Sequence, residues 1–125
     1  MNRTAEARQR LWIVPGPLVI WAIHFMLCYI TAALWCGRVA GPASPLSTAR
    51  TAIGIYTVVA LAGIGAIAWM GYRAQAIGAG EPPHDADSPE DRHRFLGFAA
   101  LLIAGLSTVA TLYTAMAALF IETCQ

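Results

Sequence analysis

The sequence predicts an all-α membrane protein of one domain, residues 1–125, with three transmembrane helices, the N-terminus inside and the C-terminus outside. Three observations predict it. The chain is 58% hydrophobic and only 12% charged, too apolar for an ordinary soluble domain of 125 residues. Its charges sit in the N-terminal tail, two loops and the extreme C-terminus, leaving uncharged runs at Leu11–Trp35, Thr51–Tyr72 and Phe95–Ile121. Each run reaches the roughly 20 apolar residues that a spanning helix needs. The arginines are also asymmetric. Arg3, Arg8, Arg10, Arg73, Arg92 and Arg94 fall on one side of a three-span chain, against Arg38 and Arg50 on the other. By the positive-inside rule the N-terminus and the 73–94 loop are then cytoplasmic.

The polar start, with Arg3, Arg8 and Arg10 ahead of an apolar run, has the look of a signal peptide. The run is much longer than the 7–15 residues of a signal core, and Trp35 is not the small residue a lipoprotein cleavage site wants before Cys36, so a retained anchor is expected. Pro15 and Pro17 suit a first helical turn, where a missing N–H costs nothing. From Pro17 to Trp35 helix one would rise about 28 Å, with Trp12 and Trp35 as interfacial anchors. The stretch from Gly37 to Ser47, with Pro42 and Pro45, reads as a loop.

Helix two carries Gly54, Ala62, Gly63, Gly65, Ala66, Ala68 and Gly71, and Ala62-xxx-Ala66 is expected to pack within the bundle. Trp69, Tyr72 and Arg73 mark its far interface. The stretch Gln75–Arg94 is loop-like, rich in Gly, Pro and acids, until Ser88-Pro89-Glu90-Asp91 opens helix three with an N-cap, a first-turn proline and two dipole-matched acids. From Pro89 to Ile121 that helix would be roughly 50 Å long. Its Ser107, Thr111 and Thr114 form a polar stripe expected to hydrogen-bond across to helix one.

The chemistry concentrates in helix one. Trp21, His24, Cys28, Thr31 and Trp35 recur at steps of three and four, so they share one stripe of the helix. A histidine near the middle of a span is costly unless it faces protein, water or a cofactor. Two readings follow: contact with haem or a partner subunit through Trp21, His24, Cys28 and Thr31, or a structural histidine bonded to a Ser, Thr or Tyr of a neighbouring helix. A six-coordinate haem needs a second ligand at similar depth, whereas His84 and His93 lie in the loop, so the chain is expected to bring no cofactor of its own. Together with Asp85 and Asp87 those loop histidines match no metal spacing and read as a solvated segment, with no metal site. Cys36 and Cys124 fall on the same, outer face, and three fates are open to them: a disulfide, a thiolate pair for copper(I), or free thiols. Cys28, within the span, reads as a small hydrophobe.

Several functions are disfavoured. The chain has no nucleotide-binding loop, no hydrolase elbow, no zinc-protease motif and no acid or arginine inside a span, so no catalytic residue is assigned and an enzyme is not expected. It has no lysine and no basic cluster with interleaved aromatics, which leaves no basis for nucleic-acid binding.

The pattern Gly16-Pro17…Trp21-x-x-His24-Phe25…Tyr29…Ala33…Cys36, followed by two further spans, resembles small membrane proteins encoded beside bacterial haem-copper cytochrome c oxidase and its copper-assembly factors. The likeness lies mainly in helix one. It implies a multi-pass protein of the bacterial inner (cytoplasmic) membrane, a non-catalytic accessory or assembly subunit of the respiratory chain. Such a subunit would contact lipid and dock on a larger membrane protein through the helix-one stripe, with Trp21, His24, Tyr29 and Cys36 as contact residues. Two alternatives stand beside it: a haem or copper carrier using His24 or the Cys36/Cys124 pair, and a small homo-oligomeric transporter assembled on the Gly/Ala face of helix two.

Overall fold

The architecture is that of a computed structural model, which describes residues 8, 11–39, 41, 45–76, 89–122 and 124. Three long helices organise them: α1 (Gly16–Leu34), α2 (Ser47–Ala76) and α3 (Pro89–Phe120), with a π-helical turn over Trp35–Val39 extending α1. The stretches Gly16–Val39, Ser47–Arg73 and Arg94–Phe120 are each long and apolar enough to cross a bilayer, which makes this a multi-pass membrane protein. Most of the loop expected over 73–94, including His84, Asp85 and Asp87, lies outside the described residues, as does the side chain of His93.

The helix boundaries follow from local chemistry, with two departures from expectation. Pro15 takes the N-cap position of α1, and its carbonyl accepts from the Val19 N–H at 3.0 Å. Pro17, in the first turn, is buried without loss of a backbone bond, since no N–H is needed there. The first departure is at the other end of α1, where the loop expected from Gly37 begins later because the chain stays helical through the π-turn to Val39. The second is at α2, which starts at Ser47, before the uncharged run begins. There the Arg50 N–H bonds the Leu46 carbonyl at 2.8 Å and the Thr51 hydroxyl donates to the Ser47 carbonyl at 3.0 Å. α3 starts at Pro89, as the Ser-Pro-Glu-Asp signal predicts.

The helices alternate in direction, and α2 and α3 make the most extensive contact. Along α3 the buried positions are Gly97, Ala100, Ala104, Ser107 and Thr111; along α2 they include Ala49, Ile53, Thr57, Ala60, Ile64 and Gly71. Both series step by threes and fours, and nearly all their members are small. Lipid is as apolar as leucine, so helices in a membrane gain little by hiding apolar area from water. Close backbone approach and dispersion hold them instead, and small residues permit both. At Gly71 the two backbones come close: a Cβ there would stand 3.4 Å from the Gly97 carbonyl oxygen and 3.5 Å from the Ala100 Cβ. The expected Ala62-xxx-Ala66 contact is corrected: both alanines are exposed, because the phase of α2 is set by Ala60, Ile64 and Gly71 on its other side. Bulky apolar side chains such as Ile23, Val58, Leu102 and Leu106 cover the outside, the arrangement expected of a surface solvated by acyl chains.

One end of the bundle is tied twice. The Arg50 guanidinium donates from Nε to the Ala118 carbonyl at 3.1 Å and from Nη2 to the Leu119 carbonyl, so a cation of α2 meets the carbonyls left open at the C-terminal end of α3. Cys36 in the π-turn and Cys124 beyond α3 form a disulfide with Cα atoms 5.6 Å apart, joining segments 88 residues apart in sequence. At the opposite end Arg73 lies over the Trp69 ring at 5.7 Å and Trp69 sits beside Tyr72, a cation and aromatic grouping suited to a headgroup interface.

The glycine seam yields a contrast between two substitutions. Gly71→Leu should lower the thermal midpoint in detergent, with a cost of about 1–3 kcal/mol from overpacking against backbone. Gly65→Ala, beside which nothing lies within 4 Å, should be neutral or raise the midpoint, since alanine is the better helix former by up to about 1 kcal/mol. Tryptophan fluorescence during heating separates the two, and equal effects would contradict the packing described.

Candidate functional site: a polar layer inside the bundle

His24 is the deepest ionisable group in α1 and is only 2% exposed. Its Nε2 lies 3.0 Å from the Thr57 hydroxyl oxygen on α2. The direction of that bond follows from the threonine, which has a single proton and donates it to the Ile53 carbonyl of its own helix at 2.7 Å. Thr57 Oγ1 therefore accepts, and His24 Nε2–H donates. This assigns the ring proton to Nε2 and leaves Nδ1 as an acceptor. One turn further along α1, Cys28 Sγ lies 3.5 Å from the same Nε2; it is buried and forms no disulfide.

The remaining polar core residues belong to α3. Arg50 meets Ala118 and Leu119, and Gly71 meets Gly97, which sets the antiparallel register of α2 and α3. His24 beside Thr57, and Gly63 beside Ile20, do the same for α1 and α2. These registers bring Thr111 close to the depth of His24 and Thr57, and Ser107 roughly one to two helical turns away along α3. Ser107 is 1% and Thr111 0% exposed. His24, Thr57 and Thr111 thus lie at similar depth near the middle of the three spans, with Cys28 and Ser107 a turn or more to either side.

The α3 residues bond differently from expectation. Instead of reaching α1, Thr111 donates to the Ser107 carbonyl at 2.8 Å and Thr114 to the Ala110 carbonyl at 2.9 Å, both within their own helix. A hydroxyl one turn from an open carbonyl lone pair finds its acceptor locally and needs no second helix. The partner of His24 is Thr57, a residue the composition of helix two does not single out among its glycines and alanines. One signal could have found it: Thr57 shares the three-and-four phase of Ala60 and Ile64. Four buried polar atoms have no hydrogen-bond partner among the described residues: His24 Nδ1, Ser107 Oγ, Trp21 Nε1 and Trp35 Nε1.

The helix-one stripe therefore turns mainly toward the chain's own bundle. His24 and Cys28 are buried, and Trp21, Thr31 and Trp35 are half-buried against the bundle, because a polar group in hydrocarbon turns to the nearest available partner. With its ring enclosed, His24 offers no open edge to a haem outside the bundle. Cys36 and Cys124, joined to each other, present no thiolate pair to copper. What α1 turns outward is Ile23, Phe25, Met26, Tyr29 and Ile30. Phe25 lies against Trp21 with ring centroids 6.2 Å apart.

Comparison with known proteins assigns nothing further, since no protein-family profile, no curated protein and no solved structure matches this chain.

The His24–Thr57 bond can be measured by a double-mutant cycle. Interhelical hydrogen bonds in membranes are worth about 0.6 kcal/mol on average and about 1.7 at most, so the coupling between His24→Phe and Thr57→Val should fall in that range. Equilibrium unfolding in mixed micelles gives the four free energies, and strictly additive effects would remove the bond.

Proposed function

We propose that the chain is a non-catalytic accessory or assembly subunit of a bacterial respiratory complex, a haem-copper oxidase, in the inner membrane. The observation that carries the reading is Tyr29. It belongs to the helix-one pattern that resembles small proteins encoded beside such oxidases, and it is 65% exposed on the outer side of α1. Its phenol has no hydrogen-bond partner among the described residues. The residue sits within the span, five positions before the end of α1. Side chains on a helix lean toward its N-terminus, so the hydroxyl tends back toward the hydrocarbon and away from the near interface. A partner helix with an acceptor at that depth satisfies it, and neighbouring Phe25 and Met26 extend the contact. Docking then falls on the Phe25/Tyr29 edge, while the rest of the pattern (Gly16, Pro17, His24 and Cys36) serves the chain's own packing.

The orientation proposed is N-terminus in the cytoplasm and C-terminus outside. The arginine count supports it, and so does the disulfide. Cys36 and Cys124 share the face opposite the N-terminus, and a disulfide persists where the compartment is oxidising.

Two experiments address these proposals. A C-terminally tagged protein, drawn from its native membrane in mild detergent, should bring down oxidase subunits with a haem absorption spectrum, and Tyr29→Leu should reduce the yield several-fold without changing the thermal midpoint. A colourless eluate of this chain alone would overturn the accessory reading. For orientation, an alkaline phosphatase fused after Gln125 should be active in cells and a fused green fluorescent protein dark; the reverse pattern would invert the topology.

A further inference from the structure

We infer that the outward face of α2 binds one anionic phospholipid, its phosphate held at Trp69, Tyr72 and Arg73 and an acyl chain lying along Ala66, Gly65 and Ala62. The site is independent of the docking edge at Tyr29, which belongs to α1.

Charge defines the headgroup end. The Arg73 guanidinium carbon lies 5.7 Å from the centroid of the Trp69 ring, and the Trp69 and Tyr72 rings stand 6.1 Å apart, centroid to centroid. All three side chains are exposed, and Arg73 has no hydrogen bond or ion pair with a described residue. A guanidinium laid on an aromatic face keeps its fork of N–H donors free for phosphate oxygens. The contacts of Gly71 with Gly97 and of Arg50 with Ala118 put Arg73 level with Phe95 on α3. At this end of the bundle the charged side chains described are Arg8, Arg73, Arg92 and Arg94, all of them cations. Glu90 and Asp91 stand in the first turn of α3, about one turn farther from the membrane than Arg94. The local field therefore favours an anionic headgroup over a zwitterionic one.

Size and shape define the tail end. At 100° per residue Trp69 stands about 160° round α2 from Gly71, the residue that meets α3. Ala62, Ala66, Trp69 and Arg73 follow one another at steps of four, three and four, so they share that outward face. Ala62, Gly65 and Ala66 are exposed, and a Cβ at Gly65 would meet nothing within 4 Å. From the cation toward the bilayer centre the face is thus nearly bare backbone, a shallow trough. From Arg73 to Ala62 it runs about 16 Å along the axis. That is the depth of one leaflet, half of the roughly 30 Å of hydrocarbon. Beyond Ala62 the trough is closed by Val58 and Ile55, which are 68% and 59% exposed.

The length selects the occupant. A partner helix crossing the whole bilayer would leave the trough at its midpoint and ride over Val58 and Ile55. A soluble phosphate would use the cation and nothing below it. A phospholipid uses both, with its phosphate at the interface and its chain reaching the bilayer centre.

Native mass spectrometry of the full-length protein, released from detergent, tests this with dioleoyl phosphatidylglycerol and dioleoyl phosphatidylcholine, which share their chains and differ in headgroup charge. Wild type should retain one phosphatidylglycerol per chain, about fivefold more tightly than phosphatidylcholine, the factor expected of one arginine near a membrane surface. Arg73→Gln should bring the two lipids within about twofold of each other, whereas Arg92→Gln, which removes the same charge elsewhere, should keep the preference. Gly65→Leu, which fills the trough at an exposed position, should weaken both lipids several-fold and leave their ratio unchanged. Quenching of wild-type tryptophan fluorescence by chain-brominated lipid gives a readout that needs no variant to fold, and it should be stronger with phosphatidylglycerol than with phosphatidylcholine. Equal affinities in wild type would overturn the site. So would equal losses in Arg73→Gln and Arg92→Gln, which would mean a diffuse attraction of the whole basic end. A dimer of the chain that Gly65→Leu dissolves would overturn it too, and give the face to a second copy.

Discussion

The rest of the structure depends on the need to give His24 a partner away from lipid. An imidazole exposed to hydrocarbon leaves a polar N–H and a lone pair unsatisfied, a penalty of several kcal/mol. The bond to Thr57 is worth about 1 kcal/mol by comparison. The larger number acts on rotation: it turns α1 so that the His24 face looks inward. The smaller number is what the bond adds once that face is inside. His24 therefore contributes chiefly to the choice of face and depth, and only modestly to net stability. Cys28, one turn along, and the half-buried Trp21, Thr31 and Trp35 follow it inward because they share its stripe.

That rotation would achieve little without a seam that lets the backbones close. Gly97, Ala100 and Ala104 on α3, facing Ala60, Ile64 and Gly71 on α2, bring the two longest helices into contact over most of their length. Arg50 and the disulfide then close one end. An arginine near a membrane surface has water as an alternative to the α3 carbonyls, so its contribution is modest and mainly sets the axial register of α2 against α3. The disulfide acts on topology. It ties the π-turn after α1 to the tail after α3, so the first and last helices stay together whatever partner binds outside.

These constraints divide the surface by function. The face richest in chemistry is sealed inside, and the outward face of α1 is aliphatic and aromatic, with Tyr29 as its polar exception. The bundle keeps its polar groups inside and its bulky apolar side chains outside. It holds its internal polar groups away from the surface and turns an aliphatic and aromatic helical edge outward.

Much of this was legible from residue order. The three spans, the proline start of α1, the Ser-Pro-Glu-Asp opening of α3 and the inward demand of His24 follow from local or solvent physics, which each residue carries whatever its neighbours. The common face of Cys36 and Cys124 is legible for the same reason, since parity of spans requires no side-chain detail. Other features depend on which helix meets which, at what rotation and in what register. The structure alone shows Thr57 as the partner of His24, the burial of the stripe that looked like a docking surface, the outward turn of Ala62 and Ala66, and the union of Cys36 with Cys124. In lipid, one small residue is nearly as good as another for close approach, and one hydroxyl as good as another for a hydrogen bond. Sequence by itself therefore determined the elements, their order and the depth of the polar group. Only the tertiary packing, through steric fit summed along whole helices, decided which of several equivalent faces and partners were used.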